Sequence, residues 1–115
     1  MAKGWSWLLW AAAGYNWLVA LPALALGAGT VSDRVVALLV SCFGLVYAIA
    51  ARDPARFAPM LWAGVAGKIG VVALLLPEVQ ADRAAPGTGW VLAGDALFTA
   101  VFIALLLVAR RRQRA

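Results

Sequence analysis

The sequence predicts an all-α integral membrane protein, a four-helix bundle of up-down-up-down topology with both termini in the cytoplasm. Three observations carry that expectation. Hydrophobic residues make up 65% of the chain and charged ones only 13%, with a mean hydropathy of +0.91, whereas a soluble domain is roughly half apolar and about a quarter charged. The apolar residues fall into four stretches, each close to the roughly 20 residues that cross a hydrocarbon core about 30 Å thick. The basic residues gather on alternate connections between those stretches. At 115 residues the chain has room for one domain, so 1–115 is read as a single transmembrane domain.

The first stretch, Trp5–Gly27, follows Lys3 and carries Trp5, Trp7, Trp10 and Trp17. Trp5, Trp7 and Trp10 near one end, and Trp90 in the fourth stretch, read as interfacial anchors, because indole rings favour the membrane–water boundary. Trp17 and Trp62 read as lipid-facing or packing residues. Lys3, the apolar run and Ala23-Leu24-Ala25 also imitate a signal peptide with its cleavage site. The run is too long for that, and tryptophan and Asn16 are poor material for such a segment, so a retained span is expected. Gly27-Ala28-Gly29-Thr30 ends the first helix. The second stretch, Arg34–Ala51, has Ser32 or Asp33 as its candidate cap. Asp53-Pro54 then supplies an N-cap followed by proline at the first helical position, ahead of the third stretch, Phe57–Leu76. Pro77 is expected to close that helix. After the short polar segment Glu78–Ala85, Pro86-Gly87-Thr88-Gly89 opens the fourth stretch, Thr88–Ala109. Pro22 and Pro59 are candidate kink points, Pro59 the milder for lying near a helix start.

Four alternating helices set Lys3, Arg52, Arg56, Arg110, Arg111, Arg112 and Arg114 on one side and only Arg34 and Arg83 on the other, beside Asp33, Glu78 and Asp82. Seven against two puts the N-terminus, the Arg52–Arg56 connection and the arginine tail in the cytoplasm. The net charge of +5 therefore reads as topology rather than as a nucleic-acid patch, and no nucleic-acid partner is expected. The Arg110–Arg114 run has a second reading, attraction to anionic lipid headgroups.

The composition also removes whole classes of chemistry. No histidine is present, which excludes imidazole acid–base catalysis and histidine-ligated metal or haem. Cys42 is the single cysteine, so neither an intrachain disulfide nor a CxxC redox pair exists, and it reads as a small packing residue. No catalytic residue, metal site or cofactor is assigned.

Each helix carries a stripe at the spacing of left-handed helix packing. The expected stripes are Leu9, Ala13, Asn16, Ala20, Ala23 and Gly27; Ala37, Ser41, Gly44, Ala48 and Ala51; Met60, Gly64, Gly67 and Val71, with Lys68 adjoining; and Leu92, Asp95, Thr99 and Phe102. Small residues let membrane helices approach closely, where dispersion and hydrogen bonds replace the hydrophobic drive. Tyr15 and Tyr47 are candidates to line the interior, each with a hydroxyl that needs a partner.

Lys68 and Asp95 stand out. Lys68 lies nine residues before Pro77, about 13 Å along the helix, and Asp95 lies seven residues after Thr88, about 10 Å. The helices that bear them are consecutive and antiparallel, so the two charges come level. A lone charge in hydrocarbon costs roughly 3 kcal/mol or more, and pairing relieves that cost. Asn16 and Ser41 reach a similar depth on the other helices. The expected intramembrane polar cluster is therefore Asn16, Ser41, Lys68, Asp95 and Thr99. It reads either as a buried lock that sets helix register or as a ligand or proton site.

At Ala51-Arg52-Asp53-Pro54-Ala55-Arg56, followed by Leu61-Trp62-Ala63-Gly64-Val65-Ala66-Gly67-Lys68, the chain resembles the DoxX-like four-helix membrane proteins of bacteria. They have a comparable Arg-Asp-Pro turn, a glycine-plus-basic position in helix three and often an acidic residue in helix four. The first helix, with Gly14-Tyr15-Asn16 and Pro22, departs from their opening pattern. The resemblance implies the fold and a bacterial cytoplasmic (inner) membrane location. Small multidrug transporters match in size, but their signature acid in helix one is replaced here by Asn16.

Two functional readings follow. The first is a non-catalytic accessory or assembly subunit of a membrane complex, or a self-associating bundle, whose partners are the lipid bilayer and other membrane subunits or further copies of itself. The alternative is a small transporter or ligand-binding membrane protein that uses the Asn/Lys/Asp cluster. An enzyme ranks last, because a lone Asp–Lys pair without a nucleophile or metal site is thin support for catalysis.

Overall fold

The structure, a computed structural model, describes residues 3–26, 29–84 and 86–114. Among them every regular element is helical: α1 (Lys3–Leu26), α2 (Val31–Arg52), the single turn α3 (Pro54–Phe57), a 3₁₀ turn (Ala58–Met60), α4 (Leu61–Gln80) and α5 (Thr88–Arg114). Four spans among the described residues, Lys3–Leu26, Val31–Arg52, Pro54–Gln80 and Thr88–Arg112, are long and apolar enough to cross a membrane. The chain is a multi-pass membrane protein. It divides into two compact units, Met1–Phe57 and Ala58–Ala115.

In the first unit α1 and α2 form an antiparallel hairpin. Gly27 and Ala28, read above at the end of the first helix, lie outside the described residues. Helix α2 starts earlier than Arg34, and neither Ser32 nor Asp33 caps it. Thr30 does, in a capping box: its hydroxyl accepts from the Asp33 N–H at 3.1 Å, and the Asp33 carboxylate accepts from the Thr30 N–H at 2.9 Å. Reciprocal satisfaction of two otherwise orphaned donors favours this register. Gly29 before it has φ +85°, and a Cβ there would fall 2.5 Å from Asp33 Oδ2, so glycine is required on both counts.

The α1–α2 seam follows the two expected stripes, with Leu9, Ala13, Asn16 and Ala20 buried on one helix and Ala37, Gly44, Ala48 and Ala51 on the other. Gly44 has a specific steric reason. A Cβ there would lie 2.6 Å from Trp17 Nε1 and 2.8 Å from Trp17 Cδ1, so the indole occupies the space that the glycine leaves open. Trp17 Nε1 in turn donates to the Ser41 carbonyl at 3.1 Å. Cys42 is exposed on α2 rather than packed.

At the Arg52–Arg56 connection Asp53 Oδ1 accepts from the Arg56 N–H at 3.3 Å, the cap expected ahead of Pro54. The helix that follows does not run unbroken from Phe57. It makes the turn α3, then tightens into the 3₁₀ turn around Pro59, because a proline disfavours α conformation in the residue before it. Pro77 does not close α4, which continues one turn to Gln80. So near the end the proline deletes a single hydrogen bond, and the Ala81 and Arg83 N–H groups still donate to the Pro77 and Glu78 carbonyls at 3.0 and 2.9 Å. Helix α5 likewise runs beyond Ala109 to Arg114, since arginine is a good helix former and cations favour a helix C-terminus.

In the second unit α4 and α5 are antiparallel. The expected α4 stripe is rotated: Leu61, Gly64, Val65 and Lys68 are buried, while Gly67 and Val71 are exposed. At about 100° per residue this is a shift of roughly one position, and it turns Lys68 from beside the seam into it. On α5 the seam holds Leu92, Asp95 and Phe102 and continues through Leu105, Leu106 and Ala109.

Candidate functional site

The most polar feature of the second unit is made by one residue from each helix. Lys68 Nζ donates to Asp95 Oδ1 at 2.7 Å. The two side chains retain only 7% and 12% of their exposure, so little water screens the contact. The ammonium also lies 5.9 Å from the centroid of the Phe98 ring, within range of the attraction between a cation and an aromatic face. Phe98 is the contributor that sequence reading missed. Its signal is the helical spacing that sets it three residues beyond Asp95 on the same face.

Thr99, one turn past Asp95, does not point its hydroxyl at the carboxylate. Its Oγ1 donates back to the Asp95 carbonyl at 2.7 Å. Ser41, in the first unit, behaves in the same way, its Oγ donating to the Ala37 carbonyl at 2.9 Å. Such i−4 bonds satisfy a hydroxyl within its own helix when no water is at hand. Of the five residues expected to cluster, Ser41 and Thr99 are therefore engaged with backbone.

Asn16, 4% exposed, is the buried amide of the first unit. Its Nδ2 donates across the hairpin to the Val40 carbonyl at 3.1 Å. Together with the Trp17 bond to Ser41 it makes two consecutive side chains of α1 bind two consecutive carbonyls of α2. Trp17 thus fastens the hairpin and is not simply a lipid-facing ring. Every buried side-chain nitrogen or oxygen among the described residues has a hydrogen-bond partner, as an interior without water demands.

Of the four tryptophans read as anchors, Trp7, Trp10 and Trp90 are 73%, 44% and 85% exposed, whereas Trp5 is half-buried. The polar end of the second unit holds a surface ion pair, Arg83 Nε to Glu78 Oε2 at 2.7 Å, whose exposure limits its worth to about 1 kcal/mol at most.

No family model matches the chain, and neither a curated protein nor a solved structure is significantly similar to it. Nothing beyond the residues already quoted ties it to the DoxX-like proteins. The structure defines the class by itself: an all-α, multi-pass membrane protein that carries a buried lysine–aspartate ion pair and a buried asparagine in its spanning helices.

Proposed function

We propose that this protein is a small membrane carrier or ligand-binding protein whose working groups are Lys68 and Asp95. The observation that carries the reading is the 2.7 Å ammonium–carboxylate contact, nearly stripped of solvent, inside spanning helices. As a fastening it is a poor investment, since well-packed apolar residues of similar volume hold helices equally well or better. As a site it has clear chemistry. A proton on Asp95 releases the Lys68 ammonium, and a solute with an anionic group competes for the ammonium while one with a cationic group competes for the carboxylate. Intramembrane ionisable residues mark such pathways by default. These buried groups favour a site over an accessory or self-associating bundle with no chemistry of its own. On this reading the chain is one transmembrane domain of a bacterial cytoplasmic membrane, with both termini inside, as the charge bias and the DoxX-like resemblance imply.

A site must admit water or solute from at least one side, whereas a lock is sealed. The test places Asp95→Cys with Lys68→Met in a Cys42→Ser background, which leaves no unpaired charge, and treats membranes with a charged, water-borne methanethiosulfonate. Modification of Cys at that position in folded protein is expected. Complete inertness from both sides would reduce the pair to a register lock.

A further inference from the structure

Where the 3₁₀ turn meets the last turns of α5, the second unit has a groove of about 310 Å³ lined by Ala58, Pro59, Trp62, Leu106, Ala109 and Arg110. Its composition is ordered. Ala58, Leu106 and Ala109, at 2%, 7% and 8% exposure, make an apolar floor. Pro59 and the 60%-exposed indole of Trp62 stand as walls, and the exposed Arg110 supplies the single charged group at the mouth. The groove exists because the 3₁₀ turn replaces an α-helical one and alanines stand at 58 and 109, so the helix ends do not close on each other.

We infer that this groove binds one anionic phospholipid, an acyl chain lying on the floor against Trp62 and the phosphate on the Arg110 guanidinium. Three things favour that occupant. An apolar trough that ends in a cation matches an amphiphile, with the indole at the level where chain meets headgroup. The guanidinium fork matches phosphate oxygens. Among the described residues Arg110, Arg111 and Arg112 also make no ion pair with a carboxylate. Among the described residues Asp95 pairs with Lys68 and Glu78 with Arg83, and Asp82, the third acid of this unit, stands beyond the far end of α4. Topology alone asks only for positive charge near the helix end and requires neither a groove nor an aromatic wall beside it. The inference is independent of the role assigned to Lys68 and Asp95.

The test uses vesicles that contain phospholipids with brominated chains, which quench nearby indoles. The Trp62 signal is the difference between the wild type and Trp62→Phe. Brominated phosphatidylglycerol should quench it at a mole fraction about fivefold lower than brominated phosphatidylcholine does, the factor that about 1 kcal/mol per basic residue gives. Arg110→Gln should abolish this preference, and Arg112→Gln, on another face of α5, should largely keep it. Both are exposed positions, so folding is not at stake. Soluble glycerol phosphate should not relieve the quenching; if it does, the site takes free phosphate and the lipid assignment fails. Equal losses with Arg110→Gln and Arg112→Gln would show diffuse attraction instead of a site. No preference in the wild type would overturn the inference and leave an acidic protein partner as the reading of the arginines.

Discussion

Replacing Gly44 with alanine tests whether Trp17 fastens the α1–α2 hairpin. The new methyl carbon would stand 2.6, 2.8 and 3.1 Å from Trp17 Nε1, Cδ1 and Cε2. Carbon contacts settle near 3.5–4.0 Å, so the indole must retreat by about 1 Å, and the 3.1 Å bond from Nε1 to the Ser41 carbonyl is lost with it. Overpacking of this kind costs about 1–3 kcal/mol, and an interhelical hydrogen bond in a membrane contributes about 0.6 kcal/mol. Against this, alanine exceeds glycine in helix propensity by about 1 kcal/mol. The clash wins: a net loss of about 0.6–2.6 kcal/mol is expected. In a Trp17→Leu background the obstacle is gone, so Gly44→Ala should become neutral or mildly stabilising, and the sign reversal isolates the coupling between the two positions. Reversible unfolding in mixed micelles of dodecyl sulfate and a mild detergent, followed by far-ultraviolet circular dichroism, gives the four stabilities. A Gly44→Ala protein at least as stable as the wild type, with Trp17 in place, would refute the account.

Two other predictions concern the ion pair and the orientation. Lys68→Met and Asp95→Asn each leave a buried charge without its partner and should destabilise the fold by about 3–5 kcal/mol, whereas the double variant should recover most of that loss. Detergent unfolding curves decide this, and a double variant as unstable as the sum of the singles would show that the charges do not act as a pair. Cysteine introduced at Thr30 or Ala84 in a Cys42→Ser background should react with an impermeant maleimide from outside intact cells, and cysteine at Ala55 should not. Outside labelling at Ala55 would reverse the proposed topology.

The sequence by itself determined what depends on sums along the chain. The number of spans follows from runs of apolar residues, whatever their rotation. The meeting of Lys68 with Asp95 was legible because depth in an antiparallel hairpin is set by distance from the connection, and a charge in hydrocarbon has few ways to be satisfied. The stripes of α1 and α2 were legible too, since five small residues at helical spacing on α2 leave one close-packing face. Only the tertiary structure decided rotation and reach. On α4 glycines and alanines occur on several faces, so sequence spacing favoured Met60, Gly67 and Val71, while packing chose Leu61, Val65 and Lys68 by turning the lysine onto its carboxylate. Ser41 and Thr99 share the polar chemistry of a cluster, yet both bond to their own helix, an option that residue type cannot reveal. Helix ends at Pro77 and Ala109 moved outward because hydrogen bonds in the next turn outweighed a proline and a run of charges. The groove beside Arg110 needed the shape of a 3₁₀ turn against α5, which no local pattern contains, because it arises from where two distant segments stop short of each other.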